Sequence, residues 1–284
     1  MDFPKIIEIQ FHNRCNSNCL ICPYKDMNYK SEFMDEELFD KFLSELKGQD
    51  LKRIIPYLNN EPFIQNDYIE RVIKIKDICP NAEIEISTNV SMLNEYKIKQ
   101  LSEIGLTELR LSVFGYSDSI YKKMMPGLNK ETVFKNLEII SREFINSNTV
   151  VSIVMIDDGT IPEDEFINMK KLADSLNFKL ERWGFLDRCK NVTYKDNGIF
   201  NSTTCGCEQN RPLERMHILS NGDVIVCCQD WSHTTIMGNI KENTIHDIWC
   251  SEKYDQFRKS LYNAECETPE LCKKCKLALT CKEA

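Results

Sequence analysis

Three cysteines, Cys15-x3-Cys19-x2-Cys22, follow directly on an apolar, strand-like segment and constrain this chain more than any other feature. Three thiolates at that spacing fit a short loop holding three corners of a cubane [4Fe-4S] cluster, which leaves the fourth iron open. A structural zinc site closes its shell with four ligands, so the zinc reading needs a remote donor such as His12.

What surrounds that loop limits its setting. The chain has 284 residues, of which 42% are hydrophobic, enough for a substantial core. Its net charge of −8 is the wrong sign for docking on phosphate backbones, so no nucleic-acid partner is expected. No run approaches the ~20 apolar residues of a membrane span and no signal peptide is evident, so a cytoplasmic protein without a membrane partner is expected. In that compartment fourteen cysteines point to metal or redox chemistry rather than disulfides. Nine of them crowd into 205–281, while Cys79 and Cys189 stand alone, Cys79 reading as a small buried hydrophobe.

Short β-rich runs alternate with helical patterns up to about residue 185, the sign of a parallel sheet with crossover helices. Strands are expected at 5–11, 52–58, 82–88, 107–113, 149–155 and 178–184, and helices at 34–47, 66–78, 93–104, 130–145 and 163–176. Six β/α units fall short of the eight of a full barrel. The fold class is therefore α/β, a partial (β/α)6 TIM-like barrel over 1–185. A polar stretch at 186–206 reads as a linker and a Cys-rich module at 207–284 follows. In the module a hairpin pairs 216–219 with 223–227 through Ser220-Asn221-Gly222, and one helix is expected at 244–262. With little apolar periodicity there, metal ligation is expected to supply much of the module's stability.

The run Arg14-Cys15-Asn16-Ser17-Asn18-Cys19-Leu20-Ile21-Cys22-Pro23-Tyr24 resembles the signature loop of the radical S-adenosylmethionine (SAM) superfamily, in which SAM chelates the open iron. The resemblance implies further SAM contacts at strand ends. Leu58-Asn59-Asn60-Glu61-Pro62 stands where the family commonly has Gly-Gly-Glu-Pro, with both glycines replaced by asparagine. Ser87-Thr88-Asn89 and Ser112 resemble positions contacting the methionyl or ribose part, and Tyr24 is expected near the adenine. The implied SAM-binding set is Tyr24, Asn60, Glu61, Ser87, Asn89 and Ser112. Taken singly, each of these polar residues also suits a cap or turn.

The C-terminal cysteines resemble the SPASM or twitch extension of such enzymes. Cys207, Gly222 and Cys227 match its opening half, and Cys272-x2-Cys275-x5-Cys281 its second. The implied ligands of one auxiliary [4Fe-4S] cluster are Cys207, Cys227, Cys272 and Cys275, with Cys205, Cys228 and Cys281 as alternatives. The chain stops at Ala284 before a second auxiliary cluster would gain its ligands. An all-cysteine zinc site is the competing reading.

The resemblance implies a radical enzyme that abstracts hydrogen through a 5′-deoxyadenosyl radical and oxidises its substrate through the auxiliary cluster. Asp230 is the candidate general base, with a turn-capping carboxylate as its alternative. A reductant such as flavodoxin or ferredoxin would supply the first electron. The layout resembles the aminocyclitol-oxidising 2-deoxy-scyllo-inosamine dehydrogenases and the SPASM-type maturases. Because the first strand begins near Lys5, no leader-binding domain is expected, which favours a small polar substrate such as a sugar or aminocyclitol over a peptide. An epimerase using Cys250 or Cys281, and a non-catalytic iron-sulfur protein with a degenerate SAM site, are the other readings.

Overall fold

The computed structural model describes residues 3–281. Six parallel strands, β1 (Ile6–Ile9), β2 (Arg53–Ile55), β3 (Glu83–Thr88), β4 (Glu108–Ser112), β5 (Val150–Asp157) and β6 (Lys179–Gly184), pair in sequence order. Crossovers carry helices α1 (Glu36–Leu46), α2 (Tyr68–Ile78), α3 (Glu95–Glu103), α4 (Asp118–Met124), α5 (Lys130–Glu143) and α6 (Glu163–Ser175). α1 starts where Asp35 accepts the Leu38 N–H at 2.8 Å, and it buries Leu38, Phe39, Phe42, Leu43 and Leu46. β2 stops at Ile55 because Pro56 brings no N–H to the ladder. The seven-residue α4, absent from the expected helices, is capped by Ser117 Oγ.

Strand alternation sorts the sheet into two faces. Ile7, Ile54, Ile84, Ile86, Leu109, Leu111 and Ile153 are buried in one apolar core with the helices. The opposite face is polar. On it Glu85 joins Tyr57 Oη at 2.8 Å, Arg53 at 2.6 Å and Arg110 at 2.5 Å.

The chain continues through β7 (Gly206–Cys207), α7 (Arg211–Glu214), β8 (Arg215–Ile218), β9 (Asp223–Ile225) and β10 (Ile236–Asn239). β8 lies parallel to β1 on the side away from β2, and β9 and β10 extend it as a meander, giving one nine-stranded sheet in the order β10-β9-β8-β1-β2-β3-β4-β5-β6. The Cys-rich region thus shares the barrel's sheet. The hairpin turn needs Gly222: its φ is +89° and a Cβ there would meet Asn239 Oδ1 at 2.8 Å.

The single helix expected over 244–262 is two, α8 (Ile245–Trp249) and α9 (Glu252–Tyr262). Ser251 adopts extended angles and its Oγ accepts the Tyr254 N–H at 3.2 Å, starting a new helix. The last elements are α10 (Glu270–Lys273) and β11 (Ala278–Leu279), the latter antiparallel to β7. Apolar packing also serves this region, because Met237, Ile240, Ile245, Ile248, Trp249 and Tyr254 are buried in the barrel's own core. Arg258 is clamped there at 4.3 Å from both the Trp249 and Tyr254 rings and donates to Pro212 O at 2.9 Å. Among the described residues no helix is long and apolar enough to cross a membrane.

Candidate active site and auxiliary metal centre

The loop after β1 carries Cys15, Cys19 and Cys22 as free, half-buried thiols. Burial raises all three, Cys19 to about 12, so as bare groups they stay protonated at neutral pH and become thiolates only beside a cation. Cys22 is eased by the Tyr24 backbone N–H and the Arg188 guanidinium, as a metal-bound sulfur requires. The donor set fits a three-ligand cluster. The neighbouring segment pins the loop, with Leu20 N–H donating to Met124 O at 2.9 Å.

Three motifs from separate strand ends lock together here. Glu61 N–H donates to Arg14 O at 2.9 Å, and Asn89 Nδ2 donates to Asn16 Oδ1 at 2.9 Å. The Glu61 carboxylate accepts from Thr88 Oγ1 and Asn89 N–H, each at 2.7 Å, and from Phe63 N–H at 3.3 Å. Burial pushes Glu61 up to about 7 against those donors. Val90, held at φ 70° where a β-branched residue is strained, is fixed by its N–H to Thr88 Oγ1 and by Asn136 Nδ2 donating to its carbonyl. Ser87 and Ser112 face each other at 3.4 Å across β3 and β4. Asn60 receives the Leu58 N–H on Oδ1, and its amide lies 3.4 Å from His12. Neither Asn59 nor Asn60 takes a positive φ, so replacing the family's glycines costs no backbone strain. Tyr24 stands in a single helical turn, Pro23–Asp26, directly after Cys22.

A second, small pocket is lined by Cys207, Cys227, Cys272 and Cys275 together with Cys189, Arg211 and an apolar wall including Pro212, Phe257 and Leu271. Backbone N–H groups of Gln229 and Leu277 donate to Cys227 and Cys275 sulfurs at 3.4 Å, and Arg211 Nη1 reaches Cys227 at 3.9 Å. Such N–H donors are what iron-sulfur ligands receive, so this donor set fits a cluster. Cys189 lines the same wall, and its neighbouring thiol brings Cys275 down to about 7. Of the alternative ligands, Cys205 meets Cys281 beside β11. Cys228 stands against Cys227 and also meets Glu8 and His217, where ligand atoms of the three lie within 4.8 Å of one another.

The Glu8–His217 pair joins β1 to β8, with 3.5 Å between His217 Nε2 and Glu8 Oε1, and Arg215 completes it at 2.9 Å. Burial opposes charge on His217, yet Glu8 and Cys228 together outweigh it and lift the imidazole to about 9, while Glu8 is held below the usual carboxylate range by His217 and Arg215. Glu8 was not singled out by the sequence. Its signal was a charged residue amid the apolar run of a first strand.

Asp230 takes the turn-capping position. It is 1% exposed, and Oδ1 accepts Thr234 N–H and Oγ1 at 3.0 Å, while Oδ2 accepts Thr235 N–H at 2.7 Å and Oγ1 at 2.5 Å. Both oxygens accept hydrogen bonds from the turn, as the capping alternative has it. Cys250 ends α8 with its thiol exposed, 3.8 Å from His246 Nε2.

A family model of the radical SAM superfamily matches residues 9–173, and one of an iron-sulfur cluster-binding domain, SPASM, matches residues 205–276. The chain belongs to the radical SAM superfamily and is a radical SAM enzyme, with SAM, a [4Fe-4S] cluster and auxiliary iron-sulfur binding as its cofactors. It is 23% identical over 275 residues, 95% of this chain and 92% of the relative, to the S-adenosyl-L-methionine-dependent 2-deoxy-scyllo-inosamine dehydrogenase of Niallia circulans. Among solved structures, BtrN in complex with AdoMet and 2-DOIA matches with a TM-score of 0.67 at 20% identity, covering 100% of this chain and 98% of that one. SuiB of Streptococcus suis bound to the precursor peptide SuiA matches with a TM-score of 0.76 at 14% identity, covering 98% and 70%. At these identities the two structural likenesses are likenesses of fold.

Proposed function

We propose that this enzyme dehydrogenates a small polar substrate, a sugar or aminocyclitol, removing one hydrogen atom and then one electron and one proton. The observation that carries the reading is a second set of clustered thiols in the chain that also holds the three-cysteine loop, with one of them, Cys227, just after β9 of the barrel's own sheet. When bound, SAM and the cluster on Cys15, Cys19 and Cys22 supply a 5′-deoxyadenosyl radical, and the auxiliary cluster accepts the second electron. The protein's own residues do the positioning. Glu61 ties the ends of β2 and β3 to the cysteine loop, and Asn89 ties that loop to the turn after β3. Asn60, Ser87 and Ser112 present amide and hydroxyl groups for the methionyl and ribose parts of SAM, and Tyr24 takes the adenine. Cys207, Cys227, Cys272 and Cys275 hold the auxiliary cluster.

The substrate class rests on the polar inner face carrying Tyr57, Glu85 and Arg110 and on the near full-length relationship to the aminocyclitol dehydrogenase. The enzyme works in the cytoplasm and takes its first electron from a flavodoxin or ferredoxin. The test is anaerobic incubation of reconstituted, reduced protein with SAM and a panel of aminocyclitols, sugars and short peptides. One 5′-deoxyadenosine per oxidised small molecule is expected. Absence of 5′-deoxyadenosine would sink the enzymatic reading. Solvent deuterium at the abstracted carbon would mark an epimerase, and modification only of peptides would mark a maturase.

A further inference from the structure

Strand alternation turns Glu181 and Trp183 of β6 to the polar inner face of the sheet. Arg182 between them faces the helices, 3.8 Å over the Phe166 ring of α6 and bound to Asp157 and Glu163. β6 is an edge strand of the sheet, and Trp183 is 41% exposed there. Its indole is nonetheless held in place. Nε1–H donates to Glu181 Oε2 at 2.8 Å, and the Arg110 guanidinium lies 5.1 Å from the ring centre. The carboxylates further along this face are neutralised by arginines: Glu8 by Arg215 at 2.9 Å, Glu83 and Glu85 by Arg53 at 2.6 Å each, and Glu108 by Arg110 at 2.9 Å. Glu181 has no cationic partner among the described residues, and Lys179, two positions back on the same face, forms no ion pair with it. The register sets Glu181 opposite Val154 of β5, which pairs in turn with Ser112 of β4, the serine 3.4 Å from Ser87. Two strand spacings, about 10 Å in all, therefore separate Glu181 from Ser112, room for one small ring between the side chains.

We propose that Glu181 receives the ammonium group of an amine-bearing sugar or aminocyclitol, whose ring lies against the open face of Trp183. The ammonium supplies the positive charge that this carboxylate lacks. It donates to Oε1 while Oε2 keeps the indole N–H, a charge-assisted bond that a hydroxyl does not match. A neutral sugar would take water from Glu181 without offering a countercharge. The indole presents a flat apolar surface to the C–H face of the ring, and its tie to Glu181 fixes the angle between the two contacts.

This inference rests on the small polar substrate proposed above, and the experiment separates the two. Scyllo-inosamine and scyllo-inositol, which differ by one ammonium for one hydroxyl, are titrated calorimetrically into the reconstituted holoenzyme with SAM and no reductant, where turnover cannot occur. Scyllo-inosamine is expected to bind at least about ten-fold more tightly to the wild type, and Glu181→Gln to bring the two within about three-fold. Equal affinity of the wild type for both, binding of neither, or a preference that survives Glu181→Gln overturns the proposal. Trp183→Ala is expected to weaken both about five-fold with their ratio kept, and Trp183→Phe to recover most of that loss. Unchanged binding in Trp183→Ala overturns the stacking contact. Iron content equal to that of the wild type shows that each variant is folded. Adding reductant then tests the underlying reading, since amine-selective binding without an oxidised product overturns dehydrogenation and leaves recognition by Glu181 standing.

Discussion

The thiols at the barrel mouth come from one loop, Cys15 to Cys22, whereas those of the second cavity come from four places in the chain, at Cys189, Cys207, Cys227 and Cys272 with Cys275. The first site is bordered by a polar lattice in which Glu61, Asn16 and Asn89 tie three motifs together. The second is closed by Pro212, Phe257, Leu261 and Leu271, with Arg211 as its charged neighbour. A loop that must leave one iron open needs only local spacing and a rigid surround. A closed cluster needs the fold to bring distant segments together and keep water out. The first site should therefore tolerate loss of its thiols without loss of fold, while the second depends on packing.

The sharpest way to break that contrast is at the first site. Cys15→Ala is expected to abolish 5′-deoxyadenosine formation while changing unfolding free energy by less than about 1 kcal/mol, read by product chromatography beside urea titration. A stability loss of several kcal/mol would show that the loop is structural after all. At the second site Arg258→Ala should act in reverse. It removes two ring contacts and the bond to Pro212 O, destabilising the protein by about 3 kcal/mol and lowering iron in the triple-alanine background, though Arg258 touches no cysteine.

A smaller effect is expected from Asp230→Asn. The amide would set a donor against the Thr235 N–H and hydroxyl, costing about 2 kcal/mol, with turnover per folded molecule and its pH profile unchanged. A rate falling by about 10²-fold or more would restore Asp230 as a base. The smallest effect is a pH slope at the seam between β1 and β8. His217 is raised from its ordinary 6.5 to about 9, so its stabilising charge is present in full below pH 6.5 and lost as pH rises through 9. Over the unit from pH 7.5 to 8.5 the wild type should lose about 1 kcal/mol more than His217→Gln, measured by denaturation at each pH. Parallel slopes would mean that the imidazole is neutral in the fold.

Much of the barrel was legible because its signals are local. Five of the six parallel strands lie within the expected spans, β5 runs two residues past its own to Asp157, and α1 follows its apolar stripe and its Asp35 cap. The misses are equally physical. α4 has too few residues for a periodic pattern, and Ser251 cuts an apparent 244–262 helix because a cap interrupts hydrogen bonding without disturbing the apolar spacing. The 186–206 stretch reads as a linker from composition, yet Asp187, Cys189, Val192, Asn201 and Thr204 are buried. Its polar residues are satisfied by distant partners, such as Asn201 Nδ2 donating to Cys272 O at 2.9 Å and Cys275 O at 2.8 Å, which composition cannot reveal.

By itself the sequence determined the three-thiol loop, the alternation of strands and helices and the presence of a cysteine-rich second region, because each depends on neighbours a few residues apart. Only the tertiary structure decided which cysteines face a common cavity, that Cys189 joins them, that Asp230 caps a turn, and that Glu8 meets His217 across a sheet seam. Those pairings depend on where β8 docks against β1 and where the chain after β6 returns. Burial then sets the charge states, and neither can be read from spacing along the chain.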